Sequence, residues 1–165
     1  MYKRFTRCST LDAARDCWGI YALKKNASYV HFSDYNDSVI DNVLTETLVA
    51  NGLASEATDS SRIIASSGDW ERLSKGLKEE FDIILTAETI YNEDYYSRLF
   101  EAIDSTLAQS GVVYLAAKSH YFGCSGSVFA WIEFVKTKKN YTIDVIWSSS
   151  GEGELRRDII RMIKL

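Results

Sequence analysis

Short apolar runs alternate with segments of helical period along this chain, and that alternation restricts it to a sheet flanked by helices. Phe81 to Leu85 is one such run; strands covered on both faces lose polar alternation and become nearly continuous in Ile, Leu and Val. Polarity then reverses at once, through Thr86, Glu88, Tyr91 and Asn92. Upstream, Gly19 to Asn26 reads as the end of a helix and Tyr29 to Phe32 as a short strand. Asp37 to Ala50 is a predicted helix with Val39, Ile40, Val43, Leu44 and Leu48 on one face, stopped by Asn51-Gly52. Arg62 to Ser66 is the next strand and Glu71 to Glu80 a short polar helix. A helix over Asp94 to Ala108 turns Tyr95, Leu99, Ile103 and Leu107 inward, and Val112 to Ala117 is a strand. Ser127 to Thr137 is helical, and Tyr141 to Trp147 and Leu155 to Ile163 close the chain as strands. The pattern specifies an α/β fold with a mostly parallel sheet and an antiparallel edge hairpin.

A chain of 165 residues fits a single domain over 1–165. Its net charge of −4 provides no broad basic surface, so direct nucleic-acid binding is not expected. Cys8, Cys17 and Cys124 are an odd number without a zinc spacing, which fits a reducing intracellular compartment better than a disulfide framework. Two histidines, His31 and His120, argue against a metal cluster. No signal peptide, lipidation motif or membrane-length apolar run is recognisable, so no membrane partner is expected. Proline is absent, and turns rest on Gly, Asn, Asp and Ser.

Polar clusters follow three of the strands, where open α/β sheets bind ligands. Asp34, after Tyr29 to Phe32, is placed to accept hydrogen bonds from both hydroxyls of a ribose, or to cap the following helix. Gly68-Asp69-Trp70 offers an indole wall for a purine and a carboxylate for its amino group; a packing Trp beside a solvated Asp is the alternative. Glu88 and Tyr91 form the third cluster, with Lys118-Ser119-His120-Tyr121-Phe122-Gly123 at the next strand end. Glu88 is suited to orienting or deprotonating an acceptor nitrogen, and Tyr91 or Tyr121 to lining its channel. Glu88 and Asn92 equally suit helix capping. His120 is either a general base or a structural histidine.

The segments Gly19-Ile20-Tyr21-Ala22, His31-Phe32-Ser33-Asp34-Tyr35-Asn36, Ser67-Gly68-Asp69-Trp70, Phe81 to Asn92 and Ala117 to Gly123 together resemble the protein-histidine methyltransferases. These are Rossmann-like, seven-stranded class I enzymes dependent on S-adenosylmethionine (SAM). The run Leu85-Thr86-Ala87-Glu88-Thr89-Ile90-Tyr91-Asn92 is close to that subfamily's acidic-x-x-Tyr motif. The resemblance implies methyl transfer to a ring nitrogen of a protein histidine, with a large-subunit ribosomal protein as substrate. It also implies a location in cytoplasm, nucleus and nucleolus, and the chain is expected to be a monomer. By resemblance, Asp34 holds the ribose with Ser33 and Tyr35 beside it. Gly68, Asp69 and Trp70 enclose the adenine, and Gly19 and Thr86 complete the cofactor site. Glu88 and Tyr91 carry the chemistry, and Asn92, His120 and Tyr121 meet the substrate. A methyltransferase acting on protein lysine, or an inactive protein-binding module, are the alternative readings. A nicotinamide-binding enzyme is disfavoured, because no G-x-G-x-x-G follows a strand.

The front of the chain departs from the family pattern. Where the family carries a strand and Asp-Leu-Gly-Cys-Gly-x-Gly-Leu-Leu-Gly, this chain reads Leu11-Asp12-Ala13-Ala14-Arg15-Asp16-Cys17-Trp18 before Gly19. Arg15 and Trp18 would crowd a cofactor in that loop. The family's upstream Trp-Glu segment has no counterpart either. The chain is therefore expected to be the C-terminal portion of a longer protein, its sheet incomplete at the N-terminus, with the first strand and glycine loop degraded or missing. Out-of-frame translation of one permitted coding of Cys-Gly-Ala-Gly-Leu-Leu reads Ala-Ala-Arg-Asp-Cys-Trp, the run found at Ala13 to Trp18, which points to a local frame error.

Overall fold

The computed structural model describes residues 7–11, 17–53, 62–77, 80–138, 140–149 and 155–165. They form a seven-stranded sheet in the order β3-β2-β1-β4-β5-β7-β6. The strands are β1 (Arg7–Leu11), β2 (Tyr29–Asp34), β3 (Ile63–Ser67), β4 (Phe81–Ala87), β5 (Leu107–Lys118), β6 (Tyr141–Ser148) and β7 (Arg157–Lys164). β1 to β5 pair in parallel, and β7 inserts antiparallel between β5 and β6. The helices are α1 (Cys17–Lys24), α2 (Thr45–Ala50), α3 (Trp70–Gly76), α4 (Tyr96–Thr106) and α5 (Val128–Lys136).

The first strand is present, which corrects the expectation of an incomplete sheet: β1 lies at its centre, between β2 and β4. Its sequence, Arg7-Cys8-Ser9-Thr10-Leu11, has no apolar run because its buried hydroxyls are paired. Ser9 Oγ lies 2.9 Å from His31 Nδ1, and Thr10 donates to the His31 carbonyl at 3.3 Å. His31 Nε2 in turn meets Ser66 Oγ at 2.8 Å, so one buried imidazole joins β1, β2 and β3. Burial without a charged partner pushes His31 down to about 4, so the ring is neutral near pH 7.

Helices cover both faces. Within β4, Ile84 joins one apolar cluster while its neighbours Ile83 and Leu85 pack against the other, as the period of a strand requires. α1 supplies Ile20 and Leu23, the segment before α2 supplies Leu44, and α2 supplies Leu48 to the second cluster, over Cys8, Val30 and Phe32. Leu73 of α3, Leu99 and Ile103 of α4, and Trp131 and Val135 of α5 belong to the first. Two predicted helices begin differently from expectation. The segment before α2 is a π-helical stretch, Val39–Leu44. Its wider turn leaves Val43 exposed, while Leu44 and Leu48 are buried. A 3₁₀ turn, Glu93–Tyr95, precedes α4, and the inward face starts at Tyr96 instead of Tyr95.

Candidate active site

Strand order reverses direction between β1 and β4, the switch point beside which doubly wound sheets bind ligands. A cavity of about 520 Å³ opens there, lined by Ser33, Asp34, Tyr35 and Asn36 after β2, by Gly68, Asp69 and Trp70 after β3, and by Glu88, Thr89 and Tyr91 after β4. Tyr95 and Arg98 close it. Asp34 is buried at the end of β2, and the backbone N–H of Asn36 holds its Oδ1 at 2.9 Å. Gly68 has φ +119°, a conformation that favours glycine, and its N–H donates to the Asp34 carbonyl at 3.0 Å. That bond fixes the spacing between the first two clusters. Asp69 caps α3 by accepting from the Arg72 N–H at 2.9 Å, so its capping role is established alongside its place in the cavity wall. Trp70 packs against the core while lining the cavity.

Glu88 has φ +56°, a left-handed conformation uncommon for a non-glycine residue. Its N–H still bonds to the Ala116 carbonyl at 2.8 Å, so the chain leaves the sheet abruptly after one last ladder bond. A second, smaller cavity lies on its other side, lined by Glu88, Tyr91, Lys118, Tyr121, Phe122, Cys124 and Leu155. Glu88 and Tyr91 are thus the partition shared by both cavities. Lys118 Nζ lies 3.6 Å from Glu88 Oε2 and 5.5 Å from the centre of the Tyr121 ring. Tyr91 meets Tyr95 and Tyr121 edge-on, at 6.3 and 6.5 Å between ring centres. The Tyr121 hydroxyl is buried close to the Glu88 carboxylate. Burial, followed by the nearby Glu88 charge, pushes its ionisation well above the ordinary tyrosine range.

Asp158 of β7 accepts hydrogen bonds from Ser119, Ser148 and Arg156. Burial raises the Asp158 carboxyl, but these donors outweigh it and hold the group below the usual carboxylate range. The Ser119 bond fixes the end of β5 from which Lys118 and Tyr121 project.

The family described as lysine methyltransferase matches residues 17–129. The chain belongs to that family. It is 38% identical over 154 residues to the histidine protein methyltransferase 1 homolog of Rattus norvegicus, covering 78% of this chain and 42% of the relative. To the protein of the same name from Dictyostelium discoideum it is 38% identical over 129 residues, covering 78% and 40%. The chain thus spans less than half the length of these relatives. Among solved structures, an O-methyltransferase from Bacillus cereus in complex with S-adenosylhomocysteine (SAH) matches with a TM-score of 0.70 at 11% identity, over 98% of this chain and 75% of that one. The shared fold is the Rossmann-like fold of class I methyltransferases.

For a member of this methyltransferase family, the larger cavity fits an adenosine. Its volume falls within the roughly 300–1,000 Å³ of small-molecule sites, and it sets a buried, oriented carboxylate beside an indole. The β1–α1 connection falls in residues 12–16; these, Arg15 included, lie outside the described residues. Trp18 is 58% exposed at the start of α1 and does not line the cavity.

Of the residues singled out in the sequence, Ser33, Asp34, Tyr35, Gly68, Asp69, Trp70, Glu88 and Tyr91 come together in the larger cavity, and Tyr121 joins Glu88 and Tyr91 in the smaller. Four lie in neither. Gly19 packs α1 on β2, where an added Cβ would sit 2.3 Å from Phe32 Cε1. Thr86 donates to the Leu11 carbonyl at 2.9 Å and supports Thr89 at 3.0 Å, a strand-tying role behind the cavity wall. Asn92 caps the 3₁₀ turn by accepting from the Asp94 N–H at 3.0 Å. His120 is exposed, edge-on to Phe122 at 4.9 Å between ring centres. Asn36, Thr89, Tyr95 and Arg98 were not foreseen in the larger cavity. Arg98 comes from the first turn of α4, where no sequence signal distinguishes it from a solvated arginine.

Proposed function

We propose that this chain transfers a methyl group from SAM to a ring nitrogen of a histidine in a protein. The observation that carries the reading is the shared partition: Glu88 and Tyr91 face a donor-sized cavity on one side and a smaller aromatic slot on the other. A group transferred between two bound molecules must pass where both are in reach, and these two side chains border that place.

SAM, when bound, supplies a methyl group on a positively charged sulfur. Asp34, aimed by Asn36, accepts the ribose hydroxyls, and Trp70 walls the adenine. In the slot, Tyr91 and Tyr121, in edge-on contact with each other, form the aromatic wall against which the acceptor ring rests. The Glu88 carboxylate accepts the N–H of the non-reacting ring nitrogen, which leaves the lone pair of the other nitrogen directed at the methyl carbon. An acceptor ring that had taken the methyl group would be cationic. Glu88 stabilises that charge and takes the proton on its way to solvent. Positioning and desolvation supply most of the rate in such a transfer. The substrate we propose is a large-subunit ribosomal protein, the class implied by the family resemblance of the sequence.

Calorimetric titration with SAH tests the donor half, using this chain beside a form restored to Leu-Asp-Leu-Gly-Cys-Gly-Ala-Gly-Leu-Leu-Gly at the front. Binding by this chain is expected. Binding by the restored form alone would make the chain an inactive relative and overturn the proposal.

A further inference from the structure

We propose that Lys118 sets the acceptor class: it occupies the cation position opposite Glu88, excluding an ammonium group while admitting a neutral imidazole. The inference rests on the proposed methyl transfer and deepens it by naming what discriminates between acceptors. A slot bordered by one carboxylate and two tyrosines would ordinarily suit a lysine side chain, because carboxylates attract ammonium groups and aromatic faces attract cations. Here a lysine already stands in that slot. Its Nζ lies 3.6 Å from Glu88 Oε2 and over the Tyr121 ring, so the carboxylate and an aromatic face already serve a resident cation. An incoming ammonium would face a like charge across the few ångströms that remain.

A neutral imidazole meets no such repulsion. It is flat, and the slot offers it the edge-on rings of Tyr91 and Tyr121. It carries one N–H, and the slot offers the Glu88 carboxylate as acceptor. Lys118 and Glu88 are each little more than one-third exposed, so a docked protein segment would remove both from water and strengthen the discrimination.

The test uses the two side chains as free probes, 4-methylimidazole for histidine and n-butylamine for lysine. NMR shift titrations are made on the SAH-saturated chain at about pH 8, where the amine is charged and most of the imidazole is neutral. In the wild type, 4-methylimidazole should shift the Tyr91 and Tyr121 resonances, and n-butylamine should not at equal concentration. In Lys118→Met, n-butylamine affinity should rise by about tenfold or more, with 4-methylimidazole changed by less. Lys118→Arg, which keeps the charge, should retain the exclusion, and thermal unfolding of both variants checks that they fold. Preference for the amine in the wild type, unchanged discrimination in Lys118→Met, or silence of both tyrosines toward both probes with SAH bound would each overturn the inference. Absence of SAH binding is a separate result and overturns the methyl-transfer reading itself.

Discussion

The backbone N–H of Gly126 donates to the Tyr91 carbonyl at 3.0 Å, and the two loops that make the acceptor slot are thereby locked together. The approach is so close that a Cβ on Gly126 would lie 2.1 Å from the Ile90 carbonyl oxygen. Ser125 adds to the clamp by receiving the Glu93 N–H and bonding Asn92 Oδ1. Gly126→Ala must therefore push the Tyr91 loop away from the β5 end. It should cost about 1–3 kcal/mol of stability, read as a lower urea midpoint. It should also weaken 4-methylimidazole binding more than SAH binding.

Asp34 is the buried carboxylate of the larger cavity that the ribose would meet. Removing a charge-assisted hydrogen-bond acceptor costs on the order of 1.5–3 kcal/mol, or roughly 10–100-fold in affinity. Asp34→Ala should weaken SAH by that factor in calorimetry, while thermal unfolding without ligand changes little by comparison. An unaltered SAH affinity would remove Asp34 from the cofactor site.

His31 gives the fold a pH dependence of definite sign. Its ring is depressed to about 4 in the folded chain and rises to the ordinary value near 6.5 on unfolding. Between those limits the unfolded state binds the extra proton, so stability falls as pH drops from about 6.5 to about 4 and is fully present above. The loss amounts to about 3 kcal/mol. Urea unfolding across that range should show it, and His31→Gln should flatten the slope.

Much of the architecture was legible because most strands are short and apolar and their ends are abruptly polar. Phe81 to Leu85 and the closing strand pair stand almost where periodicity put them. β1 was not legible, because burying Cys8, Ser9 and Thr10 depends on partners in β2, beyond local pattern. The π-helical stretch was hidden likewise, since Val39 to Leu48 fits an α-helical face as well as a wider turn. In the site, Asp34, Trp70, Glu88 and Tyr91 follow strand ends and share one crevice by topology. Asn92 satisfied its capping reading, and Glu88 did not: its left-handed backbone turns it to Lys118. Lys118 had been noted only as part of a run, because its meeting with Glu88 depends on the β4–β5 pairing.

Glu88 is the residue on which the proposed chemistry depends most. Glu88→Gln keeps the size of the side chain and removes the charge that orients the ring and takes its proton. Methyl transfer should fall by about 100-fold or more, with SAH affinity changed by much less.

The most direct measurement is methyl transfer from isotopically labelled SAM to purified large-subunit ribosomal proteins, followed by hydrolysis and identification of the labelled amino acid. The account predicts labelled methylhistidine, strongly reduced with Glu88→Gln. Labelled methyllysine, or no label from a chain that binds SAH, would contradict it.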